Sequence, residues 1–368
     1  MITSSLLYTR LAFYISLTVL LVSYLDSIIP GARYIKYALP AILILLWFAG
    51  GSENVGKTIN LYKIKDLKSY LLLIILASFS LLVNYESEGV KDIFFIFVYI
   101  CPFLLFGIYN SKKYIDISFA GIICVYTLKL LFSDNKGSFS LISSTGVLES
   151  TEAFVFGGYF LYYLSTKQLM KVGISLVFII LSLKRIVIIG ISIGALVIYF
   201  ENYIRYLNFK FVHLIVFSIS CLVILLTYAF ALGYFDELIF QLFGVSSNYL
   251  SMGRLNMYQY VINETSGSTF LGNGIGSTYT LVQQATYGED KNLHNDFLKI
   301  FIEGGIVIFI SFFFFWSKYI NIKTLPFYLY ILCLFGTDNV LIYPQVMFFL
   351  LFIIIKINTV SQNINGKL

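Results

Sequence analysis

Stretches of about 20 almost wholly apolar residues recur along the chain, and they constrain its fold more than any other feature. A helix of that length crosses the roughly 30 Å hydrocarbon core of a bilayer and satisfies its own backbone hydrogen bonds there. Hydrophobic residues make up 59% of the 368 residues and charged residues 12%, with a mean hydropathy of +0.86. These values exclude a soluble globular protein and predict an all-α polytopic integral membrane protein.

The apolar stretches predict about twelve transmembrane helices in a single membrane domain that covers residues 1–368. The first stretch is not followed by a small-residue cleavage site, so we expect it to be retained as a helix. With the N-terminus in the cytoplasm, most Lys and Arg residues fall on the cytoplasmic side, as the positive-inside rule requires. The net charge of +6 therefore follows from topology and does not indicate a nucleic acid partner. The predicted spans are 8–29, 34–50, 70–84, 92–109, 115–132, 151–165, 168–183, 186–200, 211–234, 296–316, 325–339 and 345–359.

Residues 172–200 allow two different paths for the chain. They could form one long helix with Lys184 and Arg185 in its middle, or two short helices that reverse at this pair. Two cations midway through a bilayer would cost several kcal/mol, which favours the reversal. The reversal places a smaller loop, 133–150, and a large loop, 236–295, on the outer side, so any chemistry is expected to face outward.

Two arginines on the predicted outer side are candidates for binding an anionic head group. Arg185 lies at the tip of the reversal, where it is either an interfacial cation or a ligand for a phosphate or diphosphate. Arg254 is either a solvated arginine or the start of an amphipathic helix with Ser251 as N-cap. Such a helix would lie on the membrane surface, and its N-terminus would favour an anion. Its apolar face would consist of Leu255, Tyr258 and Ile262.

The run LGNGIG at 271–276 also lies in the large loop. Its glycine spacing is wrong for a dinucleotide site, and no strand and helix flank it. The glycines are expected to allow a tight turn or a close approach to a sugar or a diphosphate.

His294 lies where the large loop re-enters the membrane, and it is predicted in the first turn of the tenth span. A helical projection places Asp296, Lys299 and Glu303 on the opposite face, with Lys299 and Glu303 paired. No carboxylate partner for His294 is therefore evident. The histidine either caps the helix or accepts a proton from a substrate hydroxyl near neutral pH.

The cysteines are spaced far apart within apolar stretches and have no neighbouring histidine. We therefore predict neither a disulfide nor a metal site, and we expect no cofactor. The four cysteines are Cys101, Cys124, Cys221 and Cys333.

Four segments between about residues 181 and 307 resemble the bacterial O-antigen polymerase and O-antigen ligase superfamily. In chain order they read LSLKRIVIIGISIG, GRLNMYQYVI, LGNGIGS and LHNDFLKIFIEGGIV. The resemblance implies a fold like that of type C glycosyltransferases, with one large extracytoplasmic loop. It also implies undecaprenyl-diphosphate-linked glycans as donor and acceptor, with no metal.

By this resemblance, Arg185 and Arg254 would hold the donor diphosphate, and His294 would assist the acceptor. Tyr258 would take the place of an aromatic residue, often Trp, that follows the second arginine in the family. The other residues that we expect to contact substrate are Lys184, Lys129, Asn273, Asn295 and Glu303.

The expected function is that of a Wzy-type repeat-unit polymerase in the bacterial inner membrane, with its site facing the periplasm or exterior. Membrane lipids and a chain-length regulator protein are its candidate partners. One alternative is an O-antigen ligase that transfers glycan to lipid A core. Another, from a different class, is a flippase or exporter of lipid-linked oligosaccharide. A transporter should carry cations along a central path, whereas the candidates here gather at the outer face, which favours an enzyme.

Overall fold

The computed structural model describes residues 2–49, 72–82, 84–104, 111–132, 150–182, 184–204, 209–251, 253–265, 270–289, 291–317 and 320–365. Within these ranges all regular structure is helical, as the sequence predicts. Residues 133–149, which form almost all of the smaller predicted outer loop, lie outside the described ranges. Parts of the predicted spans 34–50, 70–84 and 92–109 also lie outside them.

Seventeen α-helices lie within the described ranges. They are α1 Ile2–Ser23, α2 Leu39–Ala49, α3 Leu72–Leu82, α4 Ser87–Leu104, α5 Lys113–Phe132, α6 Glu152–Ser165, α7 Leu169–Leu181, α8 Arg185–Tyr199, α9 Glu201–Ile204, α10 Phe209–Ala231, α11 Asp236–Phe243, α12 Ser247–Leu250, α13 Arg254–Glu264, α14 Ser277–Ala285, α15 Asp296–Ser317, α16 Leu325–Thr337 and α17 Pro344–Asn365. Short 3-10 segments cover Tyr24–Ser27, Ala32–Ala38 and Val340–Ile342.

Four of the described helical segments are long and apolar enough to cross a membrane, namely Tyr8–Ser27, Lys113–Phe132, Phe211–Ala231 and Asp296–Phe314. On α10, Leu222 and Leu225 leave 52% and 66% of their surface exposed. Outward-facing leucines suit a helix in contact with lipid, whose chains are as apolar as they are. The structure therefore supports a membrane protein. The predicted number of twelve spans is not confirmed.

The chain reverses between α7 and α8, as predicted. Phe156 lies near the start of α6 and Phe178 near the end of α7, and their rings stack with 4.9 Å between the centroids. The α7 helix therefore runs antiparallel to α6. The Nζ atom of Lys184 lies 5.4 Å from the ring centroid of Phe154 near the start of α6, and Gly194 packs against Leu161 further along. The α8 helix therefore runs parallel to α6 and opposite to α7.

These directions give the helix bundle two ends, each with its own set of ion pairs. The end at which α6 and α8 begin, which we call the Glu152 end, carries Lys129–Glu152, Lys184–Asp338 and Lys299–Asp92. The opposite end, which we call the Asp116 end, carries Lys171–Asp116 and Lys323–Glu201. The positive-inside prediction places Lys184 and Lys299 on the outer side, Lys171 and Lys323 on the cytoplasmic side, and Lys129 inside the fifth span.

The bundle core is held by close contacts between α6, α8 and α16. Tyr330 of α16 is fully buried, and its hydroxyl donates to the carbonyl of Phe154 at 2.7 Å. A Cβ atom on Gly157 or Gly190 would overlap the ring of Tyr330, so both helices use a glycine to approach α16.

The polar loop 236–295 contains α11 to α14 and has a small apolar core of its own. Met257, Tyr258 and Val261 of α13 pack against Val282 of α14 and Leu298 of α15. We predicted that the apolar face of α13 would lie on the membrane surface. This is wrong, because Leu255, Tyr258 and Ile262 are only 5–7% exposed and face the protein.

Candidate active site

Asp338 follows the last residue of α16 at the Glu152 end, and the predicted site residues collect around it. The Nζ atom of Lys184 lies 3.3 Å from Oδ2, and Nδ1 of His294 lies 3.8 Å from Oδ1. The backbone N–H of Asn339 donates to Oδ1 at 2.8 Å. The distance to His294 is too long for a hydrogen bond. It is short enough for the carboxylate to attract a protonated imidazole.

The surroundings of Asp338 keep it ionised. Burial alone would raise its pKa, but His294, Lys184 and the N–H of Asn339 outweigh burial and lower the pKa to about 2. Asp338 therefore carries a fixed negative charge at any physiological pH.

His294 lies just before α15, in a left-handed backbone conformation with φ of 55°. The helix begins two residues later at Asp296, so the prediction that His294 lies in its first turn is wrong. The Nδ1 atom is buried and makes no hydrogen bond within the described part of the chain. A non-glycine residue with positive φ is uncommon, and such residues cluster at functional sites.

Tyr258 fixes the backbone of His294. Its hydroxyl donates a hydrogen bond of 3.2 Å to the carbonyl of His294. Tyr258 itself is only 6% exposed. Burial and, more weakly, Asp338 raise the pKa of Tyr258 to about 12, while Arg254 opposes this shift. The hydroxyl therefore remains a donor throughout the physiological range.

Arg254 is the first residue of α13, as predicted, and its guanidinium reaches towards α16. Its Nη1 atom donates to the carbonyl of Thr337 at 2.9 Å, directly before Asp338. The N-cap position belongs to Gly253, with φ of 84°, and not to Ser251. The Ser251 hydroxyl nevertheless accepts from the N–H of Leu255 at 3.1 Å, so it still satisfies the helix start.

Arg185 is the first residue of α8, and its side chain is exposed. It directly follows Lys184, whose ammonium contacts Asp338. The structure thus brings Lys184, Arg254, Tyr258 and His294 together around Asp338, with Arg185 adjacent in the chain. We call these six residues the Asp338 cluster.

The remaining predicted substrate contacts are engaged with other parts of the protein. Lys129 pairs with the fully buried Glu152 at 2.6 Å. The Asn295 side chain caps α15 by accepting from the N–H of Leu298 at 3.0 Å, and it donates to Thr227 at 3.2 Å. Contact of these two residues with substrate stays a prediction.

Glu303 is 4% exposed and holds the glycine loop. Its carboxylate is 3.4 Å from Lys299, as predicted, and it also accepts from the hydroxyl of Thr278. Lys299 in turn pairs with Asp92 at 2.7 Å. The backbone and side-chain N–H groups of Asn273 both donate to the carbonyl of Ile302.

The glycines at 272, 274 and 276 have φ of 75°, 95° and 91°. These values are those of tight turns, one of the two predicted roles, and the close approach that the glycines make is to protein backbone. The N–H of Gly274 donates to the carbonyl of Glu303 at 3.0 Å, beside the kink in α15 at Gly305. A Cβ atom on Gly272 would lie 2.5 Å from the nitrogen of Gly305.

We expect Gly272→Ala to destabilise the protein by about 1–3 kcal/mol, because it combines an unfavourable φ with overlap against α15. The measurement is the midpoint of thermal loss of the monodisperse protein in detergent. Gly288→Ala is the matched control, because Gly288 has φ of 90° but no atom within 4 Å of the added Cβ. Equal midpoints for the two variants would contradict the packing of the loop on α15.

The sequence did not single out Asp338, around which the candidate site is arranged, or Asp92, the partner of Lys299. Both are acidic residues at the edge of an apolar stretch, and an ionisable residue in such a place is a candidate for function by default. Their partners lie far away in sequence, and only the fold identifies them.

Across the residues that the structure describes, no group of three or more His, Cys, Asp or Glu side chains is arranged to hold a metal ion. The chemistry of the cluster is that of two arginines and a lysine beside a carboxylate–histidine pair. Such a set can bind a diphosphate and accept a proton.

A family model described as O-antigen ligase matches residues 172–313, from α7 into α15. No curated protein matches the chain, and no solved structure matches it. The matched segment contains Arg185, Arg254 and His294, whereas Asp338 lies beyond it. This match supports the O-antigen polymerase and ligase superfamily that the sequence predicts, over residues 172–313.

Proposed function

We propose that this protein polymerises undecaprenyl-diphosphate-linked oligosaccharide repeat units at the outer face of the bacterial inner membrane. The observation that carries the proposal is the convergence of Lys184, Arg254 and His294 on Asp338. Cations that can bind a diphosphate lie there beside a histidine that can accept a proton. The O-antigen ligase family match over residues 172–313 supports the same substrate class.

The reaction is a single displacement at the anomeric carbon of the donor sugar. A hydroxyl oxygen of the acceptor repeat unit attacks that carbon, and the bond to the diphosphate oxygen breaks. The diphosphate leaves with the bonding electron pair, and the hydroxyl proton passes to the imidazole of His294. The configuration at the anomeric carbon is inverted.

Each residue of the Asp338 cluster has a role in this displacement. Arg185 and Arg254 stabilise the negative charge that grows on the leaving diphosphate, which fixed cations do best in a partly desolvated site. Asp338 stabilises the imidazolium that forms on His294. Lys184 neutralises Asp338 when His294 is uncharged, and Tyr258 positions the histidine backbone through its 3.2 Å hydrogen bond.

A reconstituted assay with one defined lipid-linked repeat unit tests the proposal. We expect chains of increasing length whose newly formed linkages are inverted at the donor carbon. Transfer to lipid A core without chain extension would favour the ligase alternative. Movement of the lipid across proteoliposomes without any new glycosidic bond would favour a flippase and overturn the proposal.

The proposed orientation predicts which end of the bundle is accessible from outside. Tyr287, between α14 and His294, is fully exposed. Tyr287→Cys, in a background whose four native cysteines are replaced by serine, should react with a membrane-impermeant maleimide in intact cells. The control is Tyr203→Cys, because Tyr203 is 76% exposed at the Asp116 end and should react only after lysis. The reverse pattern would place the cluster in the cytoplasm.

A further inference from the structure

A cavity of about 460 Å³ opens at the Glu152 end, in a part of the bundle that the reaction described above does not use. Its size is that of a site for a small ligand. Its walls come mainly from the 3-10 segment Ala32–Ala38, the start of α4 and the end of α5. The residues that line it include Arg33, Lys36, Tyr37, Lys91, Phe95 and Asn292.

Most of the cations that line this cavity have a carboxylate partner. Lys91 pairs with Glu88 at 2.7 Å, and Arg33 lies 3.7 Å from Asp26. Lys129 and Lys299 pair with Glu152 and Asp92, as described above. These pairs fix the positions of the cations around the cavity.

Lys36 differs from the other cations. Its ammonium lies 5.3 Å from the ring centroid of Phe95 and 5.9 Å from that of Tyr37. Within the described part of the chain it has no ion pair with a carboxylate. Burial, Lys91 and Arg33 lower the pKa of Lys36 to about 8, and Asp26 only partly offsets them. An anion beside Lys36 would therefore stabilise its charged form, which burial, Lys91 and Arg33 disfavour.

The surroundings of the cavity suit the head of a lipid. Ile35 and Phe94, which adjoin lining residues in the chain, are both 42% exposed. Tyr34, which lines the cavity, is 57% exposed. Apolar and tyrosine side chains that face outward beside cations are typical of a membrane interface. The tyrosine rings of the wall also offer flat surfaces on which a sugar can pack.

We propose that this cavity binds the diphosphate of a second lipid-linked glycan, the acceptor, with Lys36, Arg33 and Lys91 as its cationic ligands. This inference rests on the proposed function, because a polymerase needs two such lipids at once. Asn292 lines the cavity two residues before His294, so an acceptor held there lies next to the proposed base. The three cationic ligands lie outside the segment matched by the family model.

The test counts diphosphate lipids on the full-length protein by native mass spectrometry in nanodiscs that contain undecaprenyl diphosphate. We expect two lipids on the wild type, one on Lys36→Gln, one on Arg254→Ala and none on the double variant. At matched lipid concentration, Lys36→Gln should weaken the second binding event roughly tenfold. The control is Lys291→Gln, because Lys291 is an exposed lysine paired with Glu289 outside the cavity. Two lipids on Lys36→Gln would overturn the proposal.

The pH dependence provides a second readout. The charged groups that act on Lys36 are Lys91, Arg33 and Asp26. The ammonium of Lys36 is charged below its pKa of about 8, so binding of the second lipid should fall as the pH rises above 8. Lys36→Arg, which stays charged, should bind two lipids at pH 9. Binding that is independent of pH in the wild type would contradict the role of Lys36.

Inorganic pyrophosphate distinguishes the source of the diphosphate. In excess it should displace the lipid that depends on Lys36, because both carry the same anionic group. Binding of pyrophosphate at Lys36 without any second lipid would assign the cavity to a released diphosphate and overturn the acceptor assignment.

In the extension assay, an unchanged acceptor KM in Lys36→Gln would reject this inference and leave the polymerase intact. Two bound lipids without chain extension would instead reject the polymerase.

Discussion

Asp338→Asn is expected to lower the rate of chain extension by about 10²–10⁴-fold, the range of general acid–base contributions. The amide keeps the shape of the side chain but removes the fixed charge that lies 3.8 Å from His294 and 3.3 Å from Lys184. The imidazolium that forms when the acceptor loses its proton then has no counter-charge. The measurement is the initial rate with a defined lipid-linked repeat unit in proteoliposomes.

Because Asp338 acts through the charge that it presents to His294, a variant that keeps this charge should recover part of the activity. Asp338→Glu should therefore restore part of the rate. Asp116→Asn is the control, because Asp116 pairs with Lys171 at 2.6 Å at the opposite end of the bundle. A rate in Asp338→Glu as low as that in Asp338→Asn would indicate a structural role only.

Arg254→Ala is expected to reduce chain extension by about 10²–10³-fold, the usual effect of removing one group that stabilises charge in a transition state. The guanidinium of Arg254 is directed towards the cluster by its hydrogen bond to Thr337 at 2.9 Å. Arg254→Lys should restore little activity, because an ammonium cannot bind a diphosphate through two parallel hydrogen bonds. Arg185→Ala should have an effect of similar size. The measurement is again the initial rate, with insertion into the membrane checked by quantitative blotting.

Arg10→Ala is the matched control for both arginine variants. Arg10 is exposed on α1, one turn before Phe13, whose ring contacts Tyr114 at the start of α5 near the Asp116 end. Its removal should leave the rate unchanged. Full activity in Arg254→Ala, with normal insertion, would be incompatible with a diphosphate site at the cluster.

Several features of this protein follow from local sequence. Apolar stretches predict helices in a membrane, because length and composition are properties of each segment alone. The reversal at Lys184 and Arg185 follows from the cost of two cations within a bilayer. Three further features are also local, since each depends on residues close together in the chain. They are the start of α13 at Arg254, the Lys299–Glu303 pair and the family resemblance.

Other features depend on which helices pack together. The apolar face of α13 could have met lipid or protein, because periodicity shows that a face is apolar but not what covers it. The glycines of the loop were predicted to allow a tight turn or a close approach to a sugar or a diphosphate, and the kinked α15 lies directly against them. Residue types and spacing indicate that a close approach occurs, and only the fold identifies its partner.

The carboxylate partner of His294 shows most clearly which features follow from sequence and which follow from the packing of helices. The sequence by itself determined that the chain is apolar and helical, and that segment 172–313, which the family model matches, carries two arginines and a histidine. The tertiary structure decided that Asp338, beyond the matched segment, ionises beside that histidine. The physical reason is that the field at a buried charge comes from neighbours in space, and the packing of α8, α13, α15 and α16 brings those neighbours together at the Glu152 end.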